Sequence, residues 1–333
     1  VAVKPPLITL LGATGFLGSA VLRELARRPV RIRAVSRRPA AVPAGARAEV
    51  EVRTADLTEP GEMAAAVDGA DIIMHTVLYS AATSTWRIED GDTAAERVNV
   101  GLIRDLVDVL ADKKDGPRTK VLFTGTVGQA GPCDKDVLDG TESDRPAGEY
   151  DRQKLAAERL LLAANDRGVL LGTSLRLPTL FGYGPDSVAR DRGVVSAMAR
   201  RALAGEPITM WHDGTVRRDL LYVEDVARGI VAAADHAEAL AGRHWLLGTG
   251  VGRPLGGVFE EVAALVAERT GKSPVPVVSV EPPSHAEAGD FSSMTIDASA
   301  FRGATGWSPG TPLTEALRST VDFLADETER AQS

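Results

Sequence analysis

The chain has a single cysteine, Cys133, in 333 residues. No internal disulfide can form, which excludes a stapled secreted scaffold and predicts a reducing compartment. No apolar run reaches the roughly 18 residues that a membrane-spanning helix requires. The opening residues lack the basic, apolar and small-residue succession of a secretory leader, so a cytoplasmic location is expected. The histidines, His75, His212, His236, His244 and His285, are scattered, with no HxxxH or Cys/His grouping, and no metal site is expected. Lys and Arg are not in excess: the net charge is −8, so neither nucleic acid nor an anionic membrane is expected as a partner. A chain of this length, 44% hydrophobic and 25% charged, has room for one large globular domain or about two.

Short apolar runs alternate with helical patterns through the first half. The runs at 7–12, 31–36, 71–77, 120–126 and 173–182 read as strands, and 17–28, 62–69, 94–113 and 148–164 read as helices. This alternation predicts a parallel sheet covered on both faces, the α/β doubly wound class. After about residue 180 prolines and glycines multiply. Helices are expected at 195–205, 225–240, 255–271 and 313–331, with 244–250 returning as a strand. The natural partition is interleaved: 1–178 plus about 219–249 as a dinucleotide-binding unit, and about 179–218 plus 250–333 as a smaller α/β substrate unit.

"LITLLGATGFLG" places Gly12, Gly15 and Gly18 between the first strand and the first helix. Glycine there lets the backbone turn sharply and approach a pyrophosphate, which meets the free N–H groups and positive dipole end of the helix. The spacing is GxxGxxG, one residue longer than GxGxxG. Thr14, Phe16 and Leu17 belong to the same expected cofactor contact. A carboxylate that binds the ribose 2′-OH of NAD stands about 20 residues beyond such glycines. Here "AVSRRP" offers Ser36, Arg37 and Arg38 instead. Guanidinium groups suit a 2′-phosphate, which predicts NADP(H). Asp56 and Leu57 in "TADLTEP" are expected beside the adenine, and Thr76 and Val77 at the end of the third predicted strand are expected to contact the cofactor as well.

"GEYDRQKLAAERLLLAA" reads as an amphipathic helix with apolar positions Leu155, Ala156, Leu160, Leu161 and Ala164. Tyr150 and Lys154 stand one turn apart at its start and project to one side. A phenol of pKa about 10 is poorly matched to proton transfer near neutrality. A neighbouring ammonium is expected to lower it. Tyr150 then exchanges a proton with a carbonyl or alcohol oxygen while hydride moves at carbon, and Lys154 also holds the nicotinamide ribose. Thr126, at the end of the strand "KVLFTGT", supplies a hydroxyl to hold the substrate oxygen.

With these residues the chain resembles the extended short-chain dehydrogenase/reductases that act on nucleotide sugars: 4-epimerases, 4,6-dehydratases and 4-ketoreductases. "GATGFLG" resembles the family's cofactor loop and "YDRQK" its active-site Tyr and Lys; "VLFTGTVG" stands where the catalytic Ser/Thr lies, at Thr126. "ERVNVGLIRDLV" is similar to the helix whose Asn, here Asn99, braces the active-site strand. "LRLPTLFGYGPD" resembles the segment that meets the nicotinamide carboxamide, at Leu177 and Pro178. "GTVRRDLLYVEDVARGI" resembles the stretch whose Arg, here Arg218, contacts the diphosphate, and "GWSPGTPLTEAL" the C-terminal signature. The resemblance implies a Rossmann domain, a variable substrate domain and often a homodimer built on the helices around Asn99 and Tyr150.

Several positions depart from the family pattern. The usual Ser-Ser pair is Thr124-Gly125, and Thr179 stands where many relatives use Asn toward the phosphates. His75, in "HTVL", reads as a packed strand histidine. Dehydratases carry an Asp-Glu pair after the catalytic Thr; Val127 and Gly128 stand there, so elimination of water lacks its groups. The loop with Tyr79, Ser80, Thr85 and Trp86 faces the sugar in this reading, Trp86 foremost, with Thr126, Tyr150, Thr179 and Arg218 completing the substrate contacts. The leading expectation is NADPH-dependent reduction of a nucleotide-linked keto-deoxyhexose at C4, with a dTDP carrier. The alternatives are a 4-epimerase, a non-catalytic NADP-binding regulator, and reduction of another carbonyl such as a steroid or flavonoid-type ketone.

Overall fold

The computed structural model describes residues 5–79, 88–113, 116–133, 135, 137–184, 186–284 and 286–332. Seven strands form one parallel sheet: β1 (Leu7–Leu11), β2 (Arg31–Ser36), β3 (Glu49–Thr54), β4 (Ile72–His75), β5 (Lys120–Thr126), β6 (Leu171–Leu177) and β7 (Arg243–Leu246). Their order is β7-β6-β5-β4-β1-β2-β3. Side chains alternate across a strand, so a sheet covered twice needs apolar residues at both parities. Leu10, Met74 and Leu122 enter one core with helices Phe16–Ala26 and Val223–Asp235. Leu11, Ile73 and Phe123 enter the other with Glu62–Val67, Leu102–Ala111 and Glu149–Asp166. The α/β doubly wound class is borne out. The strand order reverses between β1 and β4, which opens a crevice at the carboxyl edge of the sheet.

The differences from the sequence pattern have local causes. β3 escapes the search for apolar runs because it is an edge strand in which only Val50 and Arg53 are partly covered and the other four residues are exposed. The run at 173–182 is broken at Pro178, which has no N–H to give to a ladder. β6 therefore ends at Leu177, and Thr179–Phe181 leaves to pair in parallel with Arg217–Tyr222, which pairs antiparallel with Gly252–Pro254. The helix expected at 94–113 contains a π-helical turn at Arg97–Gly101, and that at 225–240 stops at Asp235 before a short Ala237–Leu240 helix. In Glu149–Asp166 the buried face is Gln153, Lys154, Leu155, Ala157, Glu158, Leu161 and Ala164. Ala156, expected inside, is exposed. Polar residues hold buried positions there, so apolar spacing alone misplaces the face by one residue.

Helices Val194–Leu203, Leu255–Thr270 and Leu313–Gln332 pack together beside the sheet. Their Ala199, Phe259 and Leu317 belong to the same apolar cluster as Leu10 and Met74. Among the described residues no helix is long and apolar enough to cross a membrane, and no group of His, Cys, Asp or Glu is placed to hold a metal ion.

Helix Glu149–Asp166 is locked to β6 by charge. Glu158 accepts from Arg176 Nε at 3.1 Å and Ser174 Oγ at 2.6 Å, and Arg176 also reaches Asp144 at 2.8 Å. Both side chains of the Glu158–Arg176 pair are almost wholly buried. Removing one partner strands the other charge away from water. Glu158→Ala should cost about 3 kcal/mol in urea unfolding; a loss below about 0.5 kcal/mol, the scale of a neutral surface change, would show that the pair contributes little.

Candidate active site

The crevice is a cavity of about 1600 Å³. At its base Gly12 has φ +93, a conformation open to glycine but strained for other residues. Gly12 N and Ala13 N donate to Val35 O, and Gly15 N donates to Gly12 O at 2.9 Å. Gly15 is the N-cap of Phe16–Ala26, and no side chain caps that helix. Its first N–H groups thus face the crevice, which Thr14, Phe16 and Leu17 also line. Gly18 does not line it. A Cβ there would lie 2.0 Å from Gly12 O, so Gly18 lets the helix press onto the loop. This cradle of turned backbone and open N–H groups fits a pyrophosphate.

Ser36 closes β2, and its hydroxyl donates to Arg38 O at 2.8 Å. Arg37 and Arg38 are exposed along the same wall. Asp56 accepts from Thr58 Oγ1 at 2.7 Å and Thr58 N at 3.0 Å. Those bonds, with help from Arg37 and Arg97, hold its carboxyl below the usual range. Leu57, Thr76 and Val77 line the cavity with it, and Thr76 Oγ1 donates to Leu11 O. Arg97 is a wall residue that sequence reasoning missed. It donates to Thr58 O at 2.9 Å and pairs with Asp105 at 2.8 Å.

Thr126, Tyr150 and Lys154 line the same cavity. Thr126 is the last residue of β5, and its hydroxyl accepts from Gly128 N at 3.1 Å. Helix Glu149–Asp166 starts one residue before Tyr150, so the phenol sits in its first turn. Lys154, one turn later, is buried; its Nζ donates to Thr124 O at 2.8 Å and lies 4.8 Å from the Phe123 ring centroid. Burial pulls the amine down to about 7. The phenol moves opposite to expectation: burial first, then the Asp151 carboxylate, push Tyr150 above its ordinary value. The cause is that Lys154 turns to the strand carbonyl and is itself easily neutralised, so its charge does not offset desolvation of the phenolate. Tyr150 is therefore a firmly protonated donor in the ligand-free chain.

Asn99 is buried, but it does not bond to β5. It accepts from Tyr79 N and donates to Gln153 Oε1, each at 2.9 Å, tying the segment after β4 to the Tyr150 helix. His75 is buried against Phe123, and its ring nitrogens have no partner among the described residues. Burial, with Lys154 nearby, holds it neutral down to about 3, as a packed strand histidine should be. Leu177, Pro178 and Thr179 line the cavity. So does Arg218, whose guanidinium is clasped by the carbonyls of Gly289 (2.7 Å), Asp290 (3.0 Å) and Ser292. Burial lowers its pKa. Ser80, Thr85 and Trp86 lie outside the described residues. Asp191 is a further residue that the sequence reading did not single out: it accepts from Gly182 N and Gly193 N and so holds the loop between them. The signal was present in "DRG", an Asp followed two residues on by the N–H it captures.

A doubly wound sheet, a glycine turn at its switch point and a Thr, Tyr and Lys lining the same cavity define a nicotinamide-dinucleotide enzyme of the oxidoreductase/epimerase class. The chain belongs to the NAD dependent epimerase/dehydratase family, whose model matches residues 8–248. This bears out the resemblance to the extended short-chain dehydrogenase/reductases. It is similar to a 3 beta-hydroxysteroid dehydrogenase/Delta 5-->4-isomerase of Mycobacterium tuberculosis (strain ATCC 25618 / H37Rv), 27% identical over 237 residues. That match spans 69% of this chain and only 60% of the relative. It is also similar to the dTDP-6-deoxy-L-talose 4-dehydrogenase (NAD(P)(+)) of Kitasatospora kifunensis, 27% identical with 94% of each chain covered. Among solved structures, MoeE5 in complex with UDP-glucose and NAD superposes with a TM-score of 0.78 at 26% identity, covering 98% of this chain and 100% of that one.

Lys154→Met removes a desolvated charge while keeping a long apolar stem. The thermal midpoint of the ligand-free variant should hold or rise, the stability–function conflict typical of sites. A fall of more than about 5 °C, roughly 3 kcal/mol for a chain of this size, would show that the amine contributes net stability.

Proposed function

We propose that the chain reduces a nucleotide-linked keto-deoxyhexose, most directly at C4 of a dTDP sugar, with NADPH. The observation that carries this reading is the convergence of Thr126, Tyr150 and Lys154 on the cavity that also holds the glycine turn. When bound, the nicotinamide dinucleotide supplies the hydride. The chain does the rest: Thr126 holds the carbonyl oxygen, Tyr150 gives it a proton, and Lys154 keeps the phenol and the cofactor ribose in place. Arg37 and Arg38, with no carboxylate ending β2, support NADPH over NADH. Arg218 is the proposed diphosphate contact, Thr179 and Trp86 further substrate contacts. The Kitasatospora relative, matched over nearly its full length, supports a dTDP-linked substrate oxidised or reduced at C4.

A 4-epimerase is the second reading, favoured by the family's name and by the NAD in the MoeE5 structure. We place the substrate unit in about 179–218 and 250–333, the dinucleotide unit in the remainder, and a cytoplasmic homodimer on the outer groove between Val100, Arg104, Ala156 and Leu160.

An assay with NADPH and dTDP-4-keto-6-deoxyglucose should show stoichiometric cofactor oxidation. Turnover of a 4-hydroxy sugar nucleotide without net oxidation would select the epimerase. Tyr150→Phe should lower kcat/KM by about 10² to 10⁴ while NADPH still binds; an unchanged phenotype would instead select a regulator. Arg37→Ala should narrow the NADPH preference about tenfold or more, a kcat/KM ratio that an inert surface arginine would leave alone.

A further inference from the structure

Among the carboxylates that line the cavity and that the reduction does not use, Asp151 and Glu287 lie nearest the Tyr150 helix start. They are remote in sequence, yet the Glu287 carboxylate lies against Gly148, the N-cap of the Tyr150 helix, and acts on the charge of Asp151. A Cβ built on Gly128 would lie 2.3 Å from Asp151 Oδ1, and one built on Gly148 would lie 3.0 Å from Glu287 Oε2. Asp151 therefore fills the space that a side chain two residues beyond Thr126 would occupy. Gly128 has an ordinary backbone, so its missing side chain makes room for this carboxylate.

We propose that Asp151, backed by Glu287, is a specificity-determining residue that takes a hydrogen-bond donor from the sugar ring and rejects a sugar carrying a carboxylate. The inference rests on the nucleotide-sugar reading above and names its sugar class: neutral or amino-bearing, not uronic. Asp151 fills the space over Gly128, two residues beyond Thr126, and its carboxylate acts on the Tyr150 phenol, so it stands near the proposed oxygen-binding groups. Nearby cations are already engaged. Arg152 turns to Glu149 and Asp90, and Lys154 to Thr124 O. Glu287 is held in place as the cap of Ala288–Phe291, its carboxylate accepting from Asp290 N, so the negative charge beside Asp151 is fixed; an incoming hydroxyl or ammonium on Asp151 is favoured there and a further carboxylate is disfavoured.

The charged groups facing Asp151 are Glu287 from the opposite segment and Tyr150 and Arg152 from its own helix; Val127–Ala130 contributes no ionisable side chain. Burial first, then Glu287, raise the Asp151 carboxyl to about 6, against the opposing pull of Arg152. The carboxylate is thus present above that pH and lost below it.

Calorimetric binding of dTDP, dTDP-glucose and dTDP-glucuronic acid, with NADP⁺ present, tests the proposal. At pH 7.5 the wild type should bind the uronate about tenfold or more weakly than the glucoside. Asp151→Asn should bring that ratio toward one while dTDP binds as before, and Glu287→Gln should move it part of the way. In the wild type the ratio should also narrow between pH 7.5 and 5.5, and in Asp151→Asn it should not. An amino-sugar analogue bound more tightly than its hydroxyl parent assigns the donor as ammonium; equal or weaker binding assigns it as hydroxyl. A ratio unchanged by Asp151→Asn, with dTDP affinity retained, overturns the inference. If dTDP itself fails to bind the wild type, the nucleotide-sugar reading falls first and takes this one with it.

Discussion

One buried contact organises the reactive end: the Lys154 amine on the carbonyl of Thr124. It pins the first turns of a helix to the strand that ends at Thr126. Desolvation makes an ammonium there costly, and the strand carbonyl and the face of Phe123 offset part of that cost. Because Tyr150 is one turn earlier on the same helix, holding the amine also holds the phenol. Asn99 and Gln153 then fix the helix start from the other side, through the backbone of Tyr79. The spacing of a phenol and an ammonium along seventeen residues of sequence thus becomes a rigid arrangement at a sheet edge.

The local features are legible in the sequence. Gly12 and Gly15, the arginines after β2, and the Tyr150–Lys154 pair are each set by short-range spacing, and each lies on the cavity wall. Spacing marks Gly18 as a ligand contact; that it is also a close packing contact is decided by how closely helix and loop approach, which spacing does not show. β3 is hidden because a mostly exposed edge strand carries little apolar signal. The burial of Gln153, Lys154 and Glu158 is hidden because their partners, Asn99, Thr124 and Arg176, are remote in sequence.

Electrostatics is the least legible property. Two side chains on one helical face suggest mutual tuning, yet the amine points to a carbonyl and the phenol feels a neighbouring carboxylate. Both outcomes follow from burial, which no spacing rule measures. Likewise Asp151 reads in sequence as one polar residue in a helical first turn. Only the fold brings Glu287 and the bare backbone of Gly128 to it.

The apolar cluster that joins Leu10 and Met74 of the sheet to Ala199, Phe259 and Leu317 of the flanking helices has no seam. Two bodies that share one core cannot rotate about each other without exposing it, because close-packed interiors resist shear. A change of side-chain volume at any of these positions is therefore felt both under the glycine turn and in the flanking helices.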